Sequence, residues 1–255
     1  MSKLLEGKHA LILGIANKWS LAYAIAKAFS REGAKLTLTY LGEHQKDSIL
    51  ELGKDLNVGA VLPCDVTKDD ELAALTSSLQ DMGALHAAVH SLAFANKEDL
   101  SRPFVETSRS GFLLAQDVSA YSLVAVARAI APVMTEGGSL STLTYLGSTR
   151  VITNYNVMGV AKASLEAAVR YLASELGSRN IRVNAISAGP VKTASARGIR
   201  DFSTILDTIQ QRAPLKRNTD PAEVADTAVF LASDLGRGVT GNCLYVDAGM
   251  QVMGF

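Results

Sequence analysis

Seven short, nearly unbroken apolar runs separated by longer stretches of helical periodicity restrict what this 255-residue chain can become. The runs are 9–14 (HALILG), 35–42 (KLTLTYLG), 60–66 (AVLPCDV), 87–94 (AAVHSLAF), 139–147 (SLSTLTYLG), 182–187 (RVNAIS) and 243–249 (CLYVDAG). Their near-continuous apolar character suits strands covered on both faces. Helical patterns fall between them at 21–31, 43–56, 70–82, 111–134, 157–176 and 221–232. Strand and helix alternating from end to end give parallel β-α-β units with right-handed crossovers. The expected fold is α/β: one doubly wound domain over residues 1–255, with a parallel sheet of about seven strands. No linker-like shift in composition, repeat or low-complexity tract divides it.

The stretch 191–218 is an exception to the alternation. It leaves the sixth strand with small polar residues and carries a short amphipathic pattern at 199–209. An excursion of this length at the carboxyl edge of a sheet is expected to be a substrate-binding lid. The plainer alternative is a surface insertion with its own helix.

Composition excludes several functions. Twenty-five basic residues balance 25 acidic ones, so no basic field calls for nucleic acid. The opening MSKLLEG lacks the apolar core of a signal peptide. The apolar stretch 122–134 is broken by Arg128 and is too short to span a bilayer, so no membrane association is expected. Cys64 and Cys243 stand far apart without metal-ligand spacing, as expected of buried thiols in a reducing cytoplasm. His86 and His90 fall on or beside the fourth strand, where a satisfied structural histidine is expected. No metal site is expected.

Ligands of doubly wound sheets sit beyond the carboxyl ends of the strands, near the switch in strand order. At the first such end, GIANKWSLA places Gly14 for a tight turn and Ser20 and Leu21 at a helix start, where backbone N–H groups can hold a pyrophosphate. The third strand ends in Asp65 and Val66, a carboxylate suited to an adenine amino group. The fourth ends in Ser91, Leu92, Ala93 and Ala95, small enough for a flat dinucleotide to lie close. The sixth leads into Pro190, Val191, Thr193, Ala194 and Ser195. Four such ends at one edge read as a Rossmann-type dinucleotide site. The second strand ends at Tyr40 and Leu41, with Glu43 beyond and no arginine to grip a 2′-phosphate, which favours NADH over NADPH.

Tyr155 and Lys162 lie seven residues apart, two turns if helical, with Tyr145 ten residues before Tyr155. A buried ammonium beside a phenol is costly unless it serves a purpose. This Y-x6-K spacing, the segment YNVMGVAKASLEAAVRYLA, RVNAISAGP and GNCLYVDAG together resemble the bacterial enoyl-[acyl-carrier-protein] reductases. These are NADH-dependent members of the short-chain dehydrogenase/reductase superfamily. The likeness runs from GKHALILG to VDAGMQVMGF, and the G-x5-S-x-A loop matches it while departing from the G-x3-G-x-G loop of ordinary short-chain dehydrogenases.

The resemblance implies hydride transfer from NADH to C3 of a trans-2-enoyl thioester in fatty acid biosynthesis. It also implies a cytoplasmic homotetramer and an acyl-carrier protein as partner. Tyr155 would stabilise the enolate, and Lys162 would hold the nicotinamide ribose. Tyr145 would shape the acyl pocket or assist protonation; it is alternatively a strand-end tyrosine packing on the lid. Ala95, Met158, Ala196, Ile199 and Phe202 would complete the substrate site, and Lys192, Arg197, Arg200, Lys216 and Arg217 would form a basic face for the carrier. The helices 111–134 and 157–176 resemble the pair that makes subunit contacts, the second slimmed by Gly159, Ala161, Ala163, Ala167 and Ala168.

Chemistry agrees with the long spacing. In ketone reduction the oxygen taking the proton is bonded to the carbon taking the hydride, and four residues separate tyrosine from lysine. In an enoyl thioester charge develops three bonds from C3, so the phenol must stand farther from the nicotinamide. Three extra helical residues would supply about 4.5 Å. The rival readings are a ketone or alcohol dehydrogenase, whose Y-x3-K and G-x3-G-x-G marks are absent, and a non-catalytic dinucleotide sensor.

Overall fold

A computed structural model describes residues 3–191 and 202–254. The strands are β1 (His9–Leu13), β2 (Lys35–Tyr40), β3 (Val58–Pro63), β4 (Ala87–His90), β5 (Gly138–Thr144), β6 (Ile181–Ala188) and β7 (Cys243–Val246). They form one seven-stranded sheet in the order β3-β2-β1-β4-β5-β6-β7, every pairing parallel. Strand order reverses at β1, where Leu11 pairs with Thr37 of β2 on one side and Ala88 of β4 on the other. A crevice is expected beyond their carboxyl ends.

Nine α-helices lie among the described residues: α1 (Leu21–Arg31), α2 (Glu43–Gly53), α3 (Asp69–Gln80), α4 (Lys97–Ser101), α5 (Arg109–Gln116), α6 (Ser122–Ile130), α7 (Val157–Leu176), α8 (Phe202–Arg212) and α9 (Pro221–Ala232). Two apolar layers sandwich the sheet. On one face Ile25 and Phe29 of α1, Ile49 of α2 and Val224 and Val229 of α9 pack on Ile12, Leu36 and Ile186. On the other, Leu72 and Leu75 of α3, Val126 and Ile130 of α6 and Leu165 and Val169 of α7 cover Leu11, Leu140 and Val183. Each fully buried side chain of this size contributes about 1.5–3 kcal/mol.

Local chemistry starts the helices that frame the crevice. Ser20 caps α1, accepting from the Tyr23 N–H, and α1 buries Ala22, Ile25, Ala26 and Phe29 on one stripe. Asp220 and Glu223 form a capping box at α9, with Pro221 at its first position.

The expected strands are all present, but their coverage is uneven. β3 is only partly buried, because it is the outer strand; Pro63 ends it where no further strand needs an N–H. The expected helix 111–134 begins at Arg109 and is interrupted by a π-helical segment, Asp117–Tyr121, between α5 and α6. By length and composition the segment Arg109–Val133 could cross a bilayer, yet half of its apolar window is buried in this fold. The helix expected within 191–218 is α8; residues 192–201 of that stretch lie outside the described residues.

Candidate active site

β1 and β4 approach so closely at their ends that Gly14 has no room for a side chain. A Cβ there would sit 2.1 Å from the Ser91 carbonyl oxygen, and its φ is +94°. Leu92 lies against the same glycine, so Gly14, Ser91 and Leu92 meet at the strand-order switch. The loop to α1 is set by Asn17, whose Oδ1 accepts from Trp19 N and whose carbonyl accepts from Ser20 Oγ at 2.7 Å. Ser20 thereby holds the amino end of α1 toward the crevice. Leu21 packs partly against the core, leaving its backbone for a ligand.

The other strand ends offer different chemistry. Tyr40 is buried, and its hydroxyl donates to Glu43 Oε1 at 2.9 Å, with Lys46 3.3 Å from the other oxygen. The Tyr40 hydrogen bond, then Lys46, hold the Glu43 carboxyl below its usual range. Leu41 is exposed, and its N–H donates to Gln45 Oε1. Asp65 accepts from both the N–H and the hydroxyl of Thr67. Burial opposes its ionisation, but the Thr67 bonds and Lys68 outweigh this and keep the Asp65 carboxyl below the usual range. Val66 is packed in the apolar layer that also holds Leu13, which leaves chiefly its backbone for a ligand.

Ala93 is exposed, Ala95 half-buried, Pro190 buried and Val191 half-buried. A cavity of about 650 Å³ between α1 and α9 is lined by Ser20, Pro190 and Val191, but neither Tyr145 nor Tyr155 reaches it. It adjoins the crevice and lies apart from the tyrosines. Thr193, Ala194, Ser195, Ala196 and Ile199 lie outside the described residues, as do Lys192, Arg197 and Arg200.

Beyond β5 the chain passes Tyr145 and a 3-10 turn, Leu146–Ser148, before returning to α7. The rings of Tyr145 and Tyr155 meet edge to face, 5.0 Å apart at 74°. Gly147 makes this possible, since a Cβ there would lie 2.4 Å from Tyr155 Cδ1. Tyr155 does not share a helix with Lys162, contrary to the expectation from spacing. α7 starts at Val157, and Asn154 and Asn156 on either side of Tyr155 have φ of +64° and +40°. The two-turn argument therefore holds for neither the path nor the rise; the loop, rather than helical pitch, sets the tyrosine's place.

Lys162 is buried in α7, and its ammonium donates to the Leu143 carbonyl at 2.7 Å. Burial pushes its pKa down to about 8, and the Glu166 charge one turn on partly offsets this. Glu166 Oε1 accepts from the Thr144 hydroxyl at 2.6 Å. Burial, then the Asp247 charge, push the Tyr145 phenol up to about 12; burial pushes Tyr155 up as well, followed by Tyr145 and Glu166. At neutral pH both phenols keep their protons and Lys162 is mostly an ammonium. Such a set can donate to a developing oxyanion and fix positive charge nearby; it is not a general base.

His90 is the satisfied structural histidine expected, its ring nitrogens bonded to Thr142 Oγ1 and Ser122 Oγ. Burial, then Lys162, push it down to about 3 and keep it neutral. His86 also has partners: Nδ1 accepts from His9 N, and Nε2 lies 3.3 Å from Glu136. Met158 is buried near Ser119, whose hydroxyl accepts from Phe94 N and contacts the Met158 sulfur at 3.7 Å. Phe202 opens α8, half-buried. Of the expected basic face, Arg217 forks onto Glu223, and Lys216 donates to Gln211 O. Sequence reading passed over Ser119, Glu166, Gly147 and Asn156; the asparagines flanking Tyr155 were the available sign, since asparagine tolerates positive φ. Gly159 and Ala161 serve contacts within the chain, Gly159 against Gly147 and Ala161 fully buried.

The family described as "Enoyl-(Acyl carrier protein) reductase" matches residues 14–251. The chain belongs to the enoyl-[acyl-carrier-protein] reductase family. Among its relatives, the NADH enzyme of Bacillus cereus is 55% identical over 255 residues, covering 99% of this chain and 100% of that one. The NADPH enzyme of Staphylococcus aureus MRSA252 is 51% identical, with 98% of each chain covered. Among solved structures, the Bacillus cereus reductase with NADP+ and indole naphthyridinone superposes with a TM-score of 0.97 at 55% identity, covering 99% of this chain and 100% of that one. The Anaplasma phagocytophilum reductase with NAD gives 0.96 at 45% identity, covering 100% and 98%. As a reductase of this family the chain acts on enoyl thioesters carried by acyl-carrier protein, and its seven-stranded doubly wound sheet is the family's fold.

Proposed function

We propose that the chain transfers hydride from NADH to C3 of a trans-2-enoyl thioester, with Tyr155 stabilising the enolate oxygen and Lys162 holding the nicotinamide ribose. The observation carrying this reading is a protonated, buried phenol and a buried ammonium set beside the carboxyl edge of the sheet at β5 and α7. NADH would supply the hydride when bound. Gly14, Ser20 and Leu21 would receive its pyrophosphate, Leu41 and Asp65 with Val66 the adenosine, and Ser91, Leu92, Ala93, Pro190 and Val191 the nicotinamide half, with Thr193, Ala194 and Ser195. Ala95, Tyr145, Met158 and Phe202 would line the acyl site with Ala196 and Ile199. In this reading 191–218 acts as the lid of a single reductase domain.

Glu43, at the start of α2 just beyond the tip of β2, supports NADH over NADPH, because its carboxylate would repel a 2′-phosphate. The exposed Phe112, Leu113, Tyr121, Val160 and Tyr171 on α5, α7 and the π segment between α5 and α6 suit a homotetramer. With Arg217 occupied by Glu223, carrier docking would fall chiefly to Lys192, Arg197 and Arg200. A cytoplasmic location accords with the two cysteines, both free. Oxidation of NADH on adding a short enoyl thioester, with a ketone and a blank as controls, tests the reading. Turnover with the ketone alone would replace it by a short-chain alcohol dehydrogenase, and none with either by a dinucleotide sensor.

A further inference from the structure

The residue after Tyr155 does not behave as its position predicts. Asn156 stands immediately before α7, where an asparagine ordinarily adopts extended backbone and caps the helix with its side chain. It has φ 40° and ψ −118° instead, and its side chain makes no capping bond. The amide nitrogen donates to the carbonyls of Leu100, at 3.0 Å, and Arg102, at 2.8 Å. These carbonyls close the end of α4, where a helix leaves acceptors without intrahelical partners. A backbone in this region costs on the order of 1–3 kcal/mol and persists only where its surroundings enforce it.

The residue type fits both demands. Glycine would accept the backbone but offer no donor. Aspartate would match the shape but present acceptors to two carbonyls. Asparagine supplies both N–H groups, and those two bonds hold it at a positive φ whose ψ lies outside the left-handed helical well. The turn it enforces fixes Tyr155 from both sides: Tyr155 N donates to Ile152 O, and its carbonyl accepts from Met158 N. Its ring is boxed by Gly147 and the edge of Tyr145. The segment that Asn156 grips is α4, which follows Ala95 in the chain leaving β4, so one side chain ties that segment to the loop carrying the tyrosine.

We propose that Asn156 is a positioning residue for the reduction, holding the Tyr155 phenol in register with Lys162 and the end of β4. The proposal rests on the reading of Tyr155 given above. Relaxing the turn would swing the phenol by roughly an ångström, a displacement that can cost about a hundredfold in rate.

The test uses Asn156→Gly and Asn156→Asp in the full chain, each alone and combined with Tyr155→Phe. Turnover and KM are measured for NADH and a short enoyl thioester, with thermal unfolding alongside. Both single variants should fold and lose about 10- to 100-fold in kcat, with KM for NADH within about twofold of wild type. Added to Tyr155→Phe, neither should lower the rate further. Unchanged turnover in both variants, an equal further loss in the Tyr155→Phe background, or failure of both to fold would each overturn the proposal. Full activity of Tyr155→Phe alone would instead remove the assignment of Tyr155 on which the proposal stands.

Discussion

Replacing Lys162 by methionine should change how stability depends on pH, in a direction set by the lysine's burial. A free lysine side chain titrates at 10.5, whereas burial brings Lys162 down to about 8. In the window between, the unfolded chain holds a proton that the folded chain has released. The slope of unfolding free energy against pH follows protons bound in the unfolded minus the folded state, so here it is positive. Below about pH 8 both states are charged and the full cost of the buried ammonium is felt; that cost is relieved as pH rises. Relative to Lys162→Met, the unliganded wild type should gain about 2 kcal/mol between neutrality and pH 9.5, approaching about 3 kcal/mol at the limit. The methionine variant also loses the bond to Leu143 O, which offsets the two curves without tilting either. Urea denaturation of both proteins at equal concentration, from pH 7 to 9.5, gives the comparison. Parallel curves would refute the reasoning, because a lysine kept near its ordinary value cannot generate the tilt.

On the proposed assignment, Tyr155→Phe removes the donor to enolate charge and should cost about 3 kcal/mol, or roughly a hundredfold in kcat, with NADH affinity nearly unchanged. Tyr145→Phe should be milder alone and worse than additive in combination, as read from steady-state rates of the three variants; the reverse ranking would exchange the two roles. NADH should outperform NADPH in kcat/KM, and Glu43→Gln should narrow the gap by relieving repulsion; equal use of both by the wild type would refute this. Gly147→Ala must displace the Tyr155 ring and should lower kcat about a hundredfold, with thermal unfolding checking that the fold survives.

What sequence made legible follows from what its patterns encode. β1 and β4 are buried on both faces and read as nearly continuous apolar runs. β5 and β6 bury Ser139, Ser141, Thr142 and Asn184 among their apolar residues and are legible as strands only from their place in the alternation. β3 lies at the edge, and its partial exposure has no counterpart in its apolar sequence, because nothing in a strand's own residues states its neighbours. Four-residue periodicity cannot register the extra backbone residue of the π segment at Asp117–Tyr121, nor a helix as short as α4. The expected helix 157–176 is α7, but the two-turn spacing from Tyr155 to Lys162 does not hold, because periodicity is blind to the sign of φ and Tyr155 lies in the loop before the helix. Its asparagine neighbours carried the information in their side-chain chemistry.

The polar residues beneath the site explain how a buried charge is tolerated there. Thr142, His90 and Ser122 form one bonded chain, while Thr144 and Glu166 form a second beside Lys162. His90 is held neutral, so it adds no second positive charge beside the ammonium. Glu166 acts in the opposite sense, its negative charge favouring the ammonium against the burial that disfavours it. Were burial unopposed, Lys162 would fall below about 8 and hold its proton less firmly, weakening the positive charge that the proposed reaction would draw on. Were the lysine exposed, it would keep its proton, but water would screen that charge. A value of about 8 lies between these outcomes, charged at working pH yet desolvated enough for its charge to act over several ångströms.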